Sequence, residues 1–581
     1  MFLRSITLGE GKYTYLRLVE NYREREKVKQ RVVAHLGRKD LLAPHLDSLV
    51  RALQAEDSPS RWVKSDEISA PEAWSWGPVL VARHLFEELS LSSILDGPRA
   101  GKRDDPPLSE RVFPLVASRL SWPGSEHALA QWLEDFYVCT RSGSRWMPKW
   151  KESGRVKVDF RQLRMWYQTL DQLLVEKERV EKAVYFRLRD LFSIRAELIF
   201  YDITSTYFEG EGPAEIAKFG YSRDQRPRNR QVLIGVVMMD GWPIAHHVFA
   251  GNRLDGTTVE EVVADLNKRF EIERIVFVGD RGMVSVHNIM QLRNANQGYL
   301  VGLQRRNRKA IYDYIREAES RGRWEECPAG IAAYERKPIP RTRVQEVAGK
   351  EPGVRVFVVD SEERALYERS MRELSMERTG KALEAIRQRV EKGTLNEPHK
   401  IGAAVARALA RHHGHRYFTW RLKDRAFSYA EHPISLAREK ALEGKCLIQT
   451  EEQGISPVQA VAAYKLLNDV ERGFAHLKGL LEIRPIHHRR EQRVRAHIFV
   501  AALAFLVDRA LEKKLRQANS TLSSPFAWSA LETIRCVKLN INGDTKLCVT
   551  RGSRHAAQVL RAVGVTSVEP PPPPQNEPTI M

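Results

Sequence analysis

Two short apolar runs, each ended by an aspartate, constrain the fold of this chain more than any other feature of its sequence. Residues 198–201 read LIFY and lead into Asp202, and residues 275–278 read IVFV and lead through Gly279 into Asp280. Continuous apolar runs of this length are typical of strands buried on both faces of a sheet. A buried carboxylate is costly unless it is paired, protonated or bound to a metal. Taken alone, Asp202 could also end a strand in a turn, and Asp280 could cap the next helix.

The segment around these runs alternates between strand-like and helix-like patterns. Three successive strands are predicted between residues 197 and 250, followed by a helix, a buried strand, a second helix and a further strand that ends near residue 303. Three consecutive strands, and then helices that alternate with parallel strands, indicate a mixed sheet covered by helices. The sequence therefore predicts an α/β fold.

Changes of pattern divide the chain into six segments. A chain of 581 residues is too long for one core, and about two to four domains are expected. The predicted segments are 1–60, a small β-rich part with a helix; 61–195, helical; 196–304, the strands and helices described above; 305–455, a largely β insertion around a long charged helix; 456–515, strongly helical; and 516–581, a mixed region with a proline-rich tail.

The formal net charge of +19 favours a polyanionic partner, nucleic acid above all. Membrane-surface and ribosomal-type proteins share this bias. The five cysteines lie far apart, which predicts neither a disulfide framework nor a cysteine zinc site. The longest apolar run, residues 498–507, is too short to span a bilayer and predicts a buried helix. Since the N-terminus also lacks the apolar core of a signal peptide, we expect a cytoplasmic, nucleoid-associated protein with no membrane partner.

A third carboxylate lies on a predicted helix that begins near residue 458. The apolar residues of this helix recur at steps of three and four: Leu467, Val470, Phe474, Leu477 and Leu481. Glu471 borders this stripe. Since a step of seven residues returns to within about 20° of the start, Tyr464, Glu471 and Lys478 are predicted to lie along one face. The alternative is a solvated glutamate that forms ion pairs along the helix.

Three carboxylates at one site would bind hard cations. Mg²⁺ and Mn²⁺ prefer oxygen ligands, and two such ions about 3.5–4 Å apart activate the attacking oxygen and stabilise the leaving oxygen in phosphoryl transfer. No protein base or covalent nucleophile is then required. Together with the positive net charge, Asp202, Asp280 and Glu471 predict phosphodiester chemistry on DNA with two metal ions in the active site.

Several ordered motifs carry a resemblance to a known family. They are YDITSTYFEG, FGYSRDQRPRNRQVLIGVVMMDGWPI, FAGNRLDGTT, VFVGDRGMVS and YKLLNDVERGFAHLKGLLEIRPIHHR. This set resembles bacterial insertion-sequence DDE transposases, in particular those with a large insertion between the second aspartate and the glutamate. The resemblance implies an RNase H-like catalytic domain, interrupted by residues 305–455, in which Asp202, Asp280 and Glu471 form the metal-binding triad.

The helix signature of this family reads Tyr-x2-Arg-x3-Glu-x6-Lys. Tyr464 and Lys478 occupy its outer places, where the resemblance implies contacts with DNA, but Leu467 stands where the arginine is expected. The resemblance implies that this arginine contacts a DNA phosphate. Lys465 or Arg472 could supply that contact, although both are predicted to point away from the face that Tyr464 and Lys478 share.

Two further cationic segments are candidate DNA-binding elements, because phosphate contacts position a protein on DNA. The first precedes a strand and contains Arg223, Arg226, Arg228 and Arg230. The second follows the helix of Glu471 and contains Arg484, Arg489, Arg490 and Arg493. Solvated charged loops without a ligand are the alternative.

The resemblance implies a cut-and-paste transposase that binds the terminal inverted repeats of its element, with residues 61–195 as the candidate DNA-end-binding region. It would hydrolyse one strand at each end, and the freed 3′-hydroxyl would attack the opposite strand or target DNA. Synapsis of two ends implies a homodimer. The alternatives are a catalytically silent DNA-binding descendant of a transposase, an RNase H-like DNA nuclease, and a two-carboxylate glycoside hydrolase, which the positive charge disfavours.

Overall fold

The structure is a computed structural model that describes residues 2–8, 13–24, 27–45, 48, 68–97, 106–147, 160–192, 198–270, 275–279, 286–303, 308–328, 340–424, 426–541 and 544–572. Of residues 8, 24, 192, 255–256, 308 and 468–472 it describes the backbone alone.

The described residues form seventeen strands. They are β1 (Phe2–Leu8), β2 (Tyr13–Glu24), β3 (Lys27–Arg38), β4 (Ile68–Ser75), β5 (Leu198–Tyr207), β6 (Gln231–Met239), β7 (Trp242–Ala250), β8 (Val276–Gly279), β9 (Gly298–Gly302), β10 (Glu325–Glu326), β11 (Thr342–Ala348), β12 (Arg355–Ser361), β13 (Phe418–Lys423), β14 (Ala426–Glu431), β15 (Lys445–Thr450), β16 (Arg535–Ile541) and β17 (Asp544–Val549).

The helices of the same residues are α1 (Lys39–Leu42), α2 (Gly77–Glu88), α3 (Leu91–Asp96), α4 (Leu108–Ser121), α5 (Leu129–Asp135), α6 (Phe160–Val175), α7 (Lys177–Phe192), α8 (Val259–Phe270), α9 (Val286–Asn294), α10 (Arg308–Arg321), α11 (Glu362–Glu391), α12 (Pro398–Arg411), α13 (Pro433–Leu442), α14 (Pro457–Lys465), α15 (Leu467–Lys478), α16 (Glu491–Gln517), α17 (Ser524–Leu531) and α18 (Arg554–Val563). Short 3₁₀ turns occur at Ala43–His45, Asp255–Thr258 and Gly414–Arg416.

A mixed sheet of nine strands organises the larger part of the molecule, in the order β10-β11-β12-β15-β9-β8-β5-β6-β7. The central strands β5, β8 and β9 run parallel. Antiparallel pairs flank them, with β6 and β7 on one side and β15, β12 and β11 on the other. Every residue of β6 is buried, which requires an apolar run without alternation. The predicted α/β fold with a mixed sheet and helices is confirmed.

The predicted composition of residues 305–455 is wrong. A largely β insertion was expected, but the described part of this segment contains α10 to α13, whose residues outnumber those of its strands. Strands β11, β12 and β15 also extend the central sheet, because β15 pairs with β9. Only β13 and β14 form a separate two-stranded sheet among the described strands of this segment. The long charged helix was predicted and is α11, whereas α10, α12 and α13 were not predicted.

The chain divides into two compact units, residues 1–72 with 538–547 and residues 73–537 with 548–581. In the first unit, β1, β2 and β3 form an antiparallel meander, as predicted for the N-terminal residues. In the second unit, residues 498–507 lie inside α16 and are almost all buried, as predicted. None of the described helices has the length and hydropathy needed to cross a membrane.

Candidate active site

Strand β5 carries Asp202 through the centre of the sheet. The strand lies between β8 and β6, and the neighbours of Asp202, Tyr201 and Ile203, are buried while Asp202 itself is half-buried. The backbone N–H of Ile203 donates a hydrogen bond of 2.8 Å to Oδ1 of Asp202. The Tyr201 hydroxyl donates to Oγ1 of Thr258 at 3.0 Å and fastens β5 to the turn before α8. The apolar run therefore builds a fixed strand around one accessible carboxylate.

Strand β8 runs beside β5 and leads toward the second predicted aspartate. Leu198 pairs with Val276 and Phe200 with Val278, in parallel orientation. The described part of this run ends at Gly279, the last residue of β8. Asp280 follows in the sequence and lies outside the described residues.

Helix α15, which contains Glu471, packs on the face of the sheet that carries Asp202. Asp202 lies opposite Val236 of β6, and directly opposed residues of neighbouring strands share a face. Val236 and Leu477 of α15 line the same small cavity of about 30 Å³. The predicted apolar stripe is buried at Leu467, Phe474, Leu477 and Leu481. The backbone of Glu471 is thus helical and covers this face, while its side chain lies outside the described residues.

The single continuous helix predicted across residues 464–478 is wrong. Leu466 separates α14 from α15, and its N–H is shared between the carbonyls of Ala462 and Ala463, at 3.3 and 3.1 Å. A bond to the third preceding residue tightens the winding, so the first of the two seven-residue steps from Tyr464 to Lys478 crosses a break between helices. Tyr464 is half-buried against the core at the end of α14.

The signature positions around this break differ in their surroundings. Leu467 is only 5% exposed and belongs to the core, so an arginine there would be buried. Lys465 is exposed, and its Nζ donates to Oγ1 of Thr342 in β11 at 3.3 Å. The side chain of Arg472 lies outside the described residues.

A fully buried carboxylate anchors α15 to the helices behind it. Asp508 of α16 accepts hydrogen bonds from Ser524 Oγ at 2.6 Å and Trp528 Nε1 at 2.9 Å. Its other oxygen lies 2.8 Å from Nδ1 of His476 in α15, and this contact raises the pKa of His476. The network fixes the helix that presents Glu471, and no motif in the sequence indicated it.

Asp224 pairs with two of the cations that the sequence assigned to DNA. Lys478 Nζ donates to Asp224 Oδ1 at 2.9 Å, and Arg484 forms an ion pair with the same oxygen. The Asp224 side chain is 6% exposed, and its Oδ2 has no hydrogen-bond partner among the described residues. Burial lowers the pKa of Lys478, although the hydrogen bond to Asp224 opposes that shift. In the sequence, this cluster is indicated only by Asp224, a single acid among the arginines of residues 223–230.

The loop of residues 221–230, called here the arginine loop, is fastened to β5 through its backbone. The N–H of Arg223 donates to Ser205 Oγ at 2.9 Å, and the Arg226 guanidinium lies 5.8 Å from the ring of Tyr207. Arg230 donates to the carbonyl of Glu211 at 3.2 Å. Within the described part of the chain, Arg228 is exposed and has no acidic partner.

The segment after α15 forms backbone hydrogen bonds with the end of β5 and the residues after it. Ile486 N donates to the Tyr207 carbonyl and Glu209 N donates to the Ile486 carbonyl, both at 3.0 Å. Arg489 and Arg490 are exposed.

Arg493 differs from these two arginines, because its side chain is already engaged. It lies 3.4 Å from both carboxylate oxygens of Asp171, and its guanidinium lies 4.4 Å from the ring of Tyr167. The predicted cationic segment thus contains both exposed and paired arginines.

One group among the described residues has metal-ligand geometry, and the sequence did not indicate it. Glu126, His488 and His497 hold their ligand atoms within 4.8 Å of one another. However, Arg119 Nη2 lies 3.0 Å from Nδ1 of His497. One of the candidate ligand atoms therefore already contacts a buried guanidinium. Burial lowers the pKa of His497 to about 4. A buried polar network describes this group better than a metal centre does.

The fold and the site define a class: an α/β protein whose central strand presents a carboxylate beneath a helix that carries another. Sequence comparison agrees, since the Transposase DDE domain family matches residues 195–507 and the family described as IS1634 family transposase, N-terminal domain, matches residues 3–64. Because the first match spans more than half of the chain, this chain belongs to the DDE transposase family. The predicted insertion-sequence DDE transposase is confirmed, and the family consists of metal-dependent enzymes that cut DNA. A search of curated proteins gave no match.

Proposed function

We propose that the protein is an active cut-and-paste transposase that binds the terminal inverted repeats of its element. It cleaves each end in a two-metal site and joins the freed strand to target DNA. Asp202, Asp280 and Glu471 would hold the ions, since three carboxylates form the oxygen donor set that Mg²⁺ or Mn²⁺ prefers. When bound, such ions activate the attacking oxygen and stabilise the leaving oxygen of a phosphodiester.

The arrangement of β5, β8 and α15 carries the proposal. The register pairs Phe200 of β5 with Val278 of β8, and each of these residues stands two positions before an aspartate in the sequence, Asp202 and Asp280. Neighbouring strands lie about 4.8 Å apart, a separation that two carboxylates sharing metal ions can bridge. Glu471 lies within the helix that covers the face of Asp202.

The chain's cations supply DNA affinity in this proposal. Arg228, Arg489 and Arg490 are exposed and would bind backbone phosphates directly. Lys478 and Arg484 are held by Asp224 and would contact DNA only by exchanging that carboxylate for a phosphate. Two element ends held in one synapse require a homodimer.

The test is strand cleavage by the Asp202→Asn variant on DNA that carries the terminal inverted repeats. We expect cleavage in Mg²⁺ to fall by about 10³-fold or more, because a metal ligand is lost, while binding of the end DNA is retained. Asp240→Asn is the matched control, since Asp240 is an exposed aspartate just after β6.

Cleavage by Asp202→Asn at the parent rate would refute the assignment of this residue. If the parent protein binds the ends but never cleaves them, the catalytically silent descendant is correct. Hydrolysis of a pre-cleaved end without any strand-joined product would identify a nuclease instead.

A further inference from the structure

A surface groove lies among the helices of residues 305–455, away from the elements that position Asp202. It has a volume of about 350 Å³ and is bordered by α11, by the end of α12 with the following 3₁₀ turn, and by α13. Its lining combines apolar side chains with arginines: Tyr367, Met371, Leu374, Arg378, Arg411 and Arg416. We call this surface the insertion groove.

The apolar part of the insertion groove is one face of α11. Tyr367, Met371 and Leu374 follow one another at steps of four and three and are 65%, 48% and 38% exposed. The buried residues of this helix all lie further along it, from Thr379 to Ile386. An aromatic ring and two long apolar side chains are therefore held in solvent, on a rigid helix, at the spacing of a single face.

Three arginines of the insertion groove form no ion pair with an acidic side chain of the described residues. Arg378 and Arg411 are exposed, and no acidic side chain of the described residues pairs with them or with Arg416. The Nε of Arg416 is buried and has no hydrogen-bond partner among those residues.

Glu368 and Glu443, which line the groove, are paired with cations. Glu368 accepts from Arg364 Nε at 2.9 Å and from the N–H of Gly444 at 3.1 Å. Glu443 accepts from Arg372 Nε at 2.5 Å. The net charge of the groove is therefore more positive than its lining residues alone would indicate.

The combination of exposed apolar side chains with arginines favours one class of polyanion over others. Duplex DNA presents phosphates but hides the faces of its bases, so an exposed apolar row adds little to duplex binding. An unpaired strand presents phosphates for arginine and bases that stack on aromatic and apolar side chains. An acidic segment of a protein offers carboxylates but no extended π-faces for the row on α11.

We propose that the insertion groove binds an unpaired DNA strand, with phosphates on Arg378, Arg411 and Arg416 and a base against Tyr367. The inference rests on the proposed function, in which one strand of each element end is cut and freed. The segment that forms the groove is connected to the central sheet, because β15 of this segment pairs with β9.

The test compares two charge-reversed proteins, both in the Asp202→Asn background and with divalent ions chelated, so that DNA stays intact. The groove variant is Arg378→Glu with Arg411→Glu. The matched control is Lys381→Glu with Arg387→Glu, because these exposed cations lie on the same α11, pair with Glu377 and Glu384, and do not line the groove. The probes are oligothymidylate, a duplex of equal length and poly-glutamate. Circular dichroism checks that each variant is folded.

We expect the groove variant to bind oligothymidylate about tenfold more weakly while duplex binding changes by less than about twofold. The salt dependence should also fall, by about 0.7 in slope for each lost phosphate contact. The control should bind both DNA probes as the parent does. Oligonucleotides with a photoreactive base should crosslink within residues 366–374.

Equal weakening of single-stranded and duplex binding, or the same weakening in the control, would overturn the proposal. So would crosslinks confined to other segments. Poly-glutamate that displaces oligothymidylate from the parent but not from the groove variant would identify an acidic protein segment as the ligand. If the parent protein fails to cleave element ends but its single-strand binding depends on the groove, the proposed function fails and the groove assignment stands.

Discussion

The cations beside the central sheet and those of the insertion groove differ in what neutralises them. Around the sheet, Lys478 and Arg484 share Asp224, and Arg269 lies against buried Glu181. In the insertion groove, Arg378, Arg411 and Arg416 form no ion pair with an acidic side chain of the described residues. A cluster of arginines in sequence therefore does not identify the arginines that are available to a polyanion.

The difference follows from where the acids lie. A buried carboxylate needs partners, so each acid enclosed by the sheet and its covering helices binds the nearest cations. In the insertion groove, Arg372 pairs with the largely buried Glu443, whereas Arg378 and Arg411 lie on the exposed surface and form no such pair within the described part of the chain.

The largest expected effect is on stability. Glu181→Gln should lower the free energy of unfolding by about 3–5 kcal/mol, because it leaves buried cations without their carboxylate. Glu181 Oε2 lies 2.6 Å from Arg269 Nη1 and 2.7 Å from Lys177 Nζ. Glu377→Gln on α11 is the control and should not change urea denaturation measurably, because its pair with Lys381 is exposed. Equal effects would remove the distinction between the two regions.

The second prediction concerns pH. Burial lowers the pKa of His246 and of His247 from 6.5 to about 4, with Lys177 and Arg269 opposing the charged form and Glu181 favouring it. Because folding favours the neutral rings, their contribution is complete above pH 6.5 and is lost as the pH falls toward about 4. Stability should drop by an amount on the order of 3 kcal/mol for each ring over that window.

The pH prediction is checked by denaturation at a series of pH values. His246→Gln should show a shallower loss than the parent protein, because one of the two rings no longer titrates. A free energy of unfolding that stays constant from neutral pH to pH 4 would contradict the prediction.

The third experiment converts paired cations into free ones. Asp224→Asn should release Lys478 and Arg484, so that the salt dependence of duplex binding steepens by about 0.9 for each cation that gains a phosphate. The free energy of unfolding should fall by about 1–3 kcal/mol. Asp240→Asn changes the same charge at an exposed position and should leave both quantities as they are. An unaltered slope in Asp224→Asn would show that these cations never reach DNA.

The smallest effects separate neighbouring arginines. Arg489→Ala and Arg490→Ala should each reduce the salt slope of duplex binding by about 0.9 without loss of stability. Arg493→Ala should change the slope less and lower stability by about 0.5–1 kcal/mol, because its contacts with Asp171 and Tyr167 are lost. Salt titrations with denaturation of the same proteins measure both. Identical behaviour of the three variants would contradict the division into paired and exposed cations.

Much of the fold was predictable, because its signals are local. The apolar approach to Asp202 predicted a buried strand, and the steps of three and four from Leu467 to Leu481 predicted the buried face of α15. The same local reasoning failed at Leu466, where a tightened turn interrupts the helix. It also failed for residues 305–455, where the strands and the long helix α11 were predicted but the shorter helices α10, α12 and α13 were not.

The candidate site was predictable in part. Asp202 lies in the strand that the sequence indicated, and its neighbour β8 leads toward Asp280. Asp224 and Asp508 were missed, since each is a single acid whose partners come from other parts of the chain.

The sequence by itself determined which segments become buried strands and helices, because burial imposes a period of two or 3.6 on apolar residues within a few turns of chain. It also determined the family, through motifs that keep their order. Which charged side chains pair with one another depends on the tertiary structure. Lys478 and Asp224 lie 254 residues apart, and their pairing depends on how the arginine loop folds against the helix of Glu471. Electrostatic pairing acts across a few ångströms of space, and no periodicity in the chain encodes that distance.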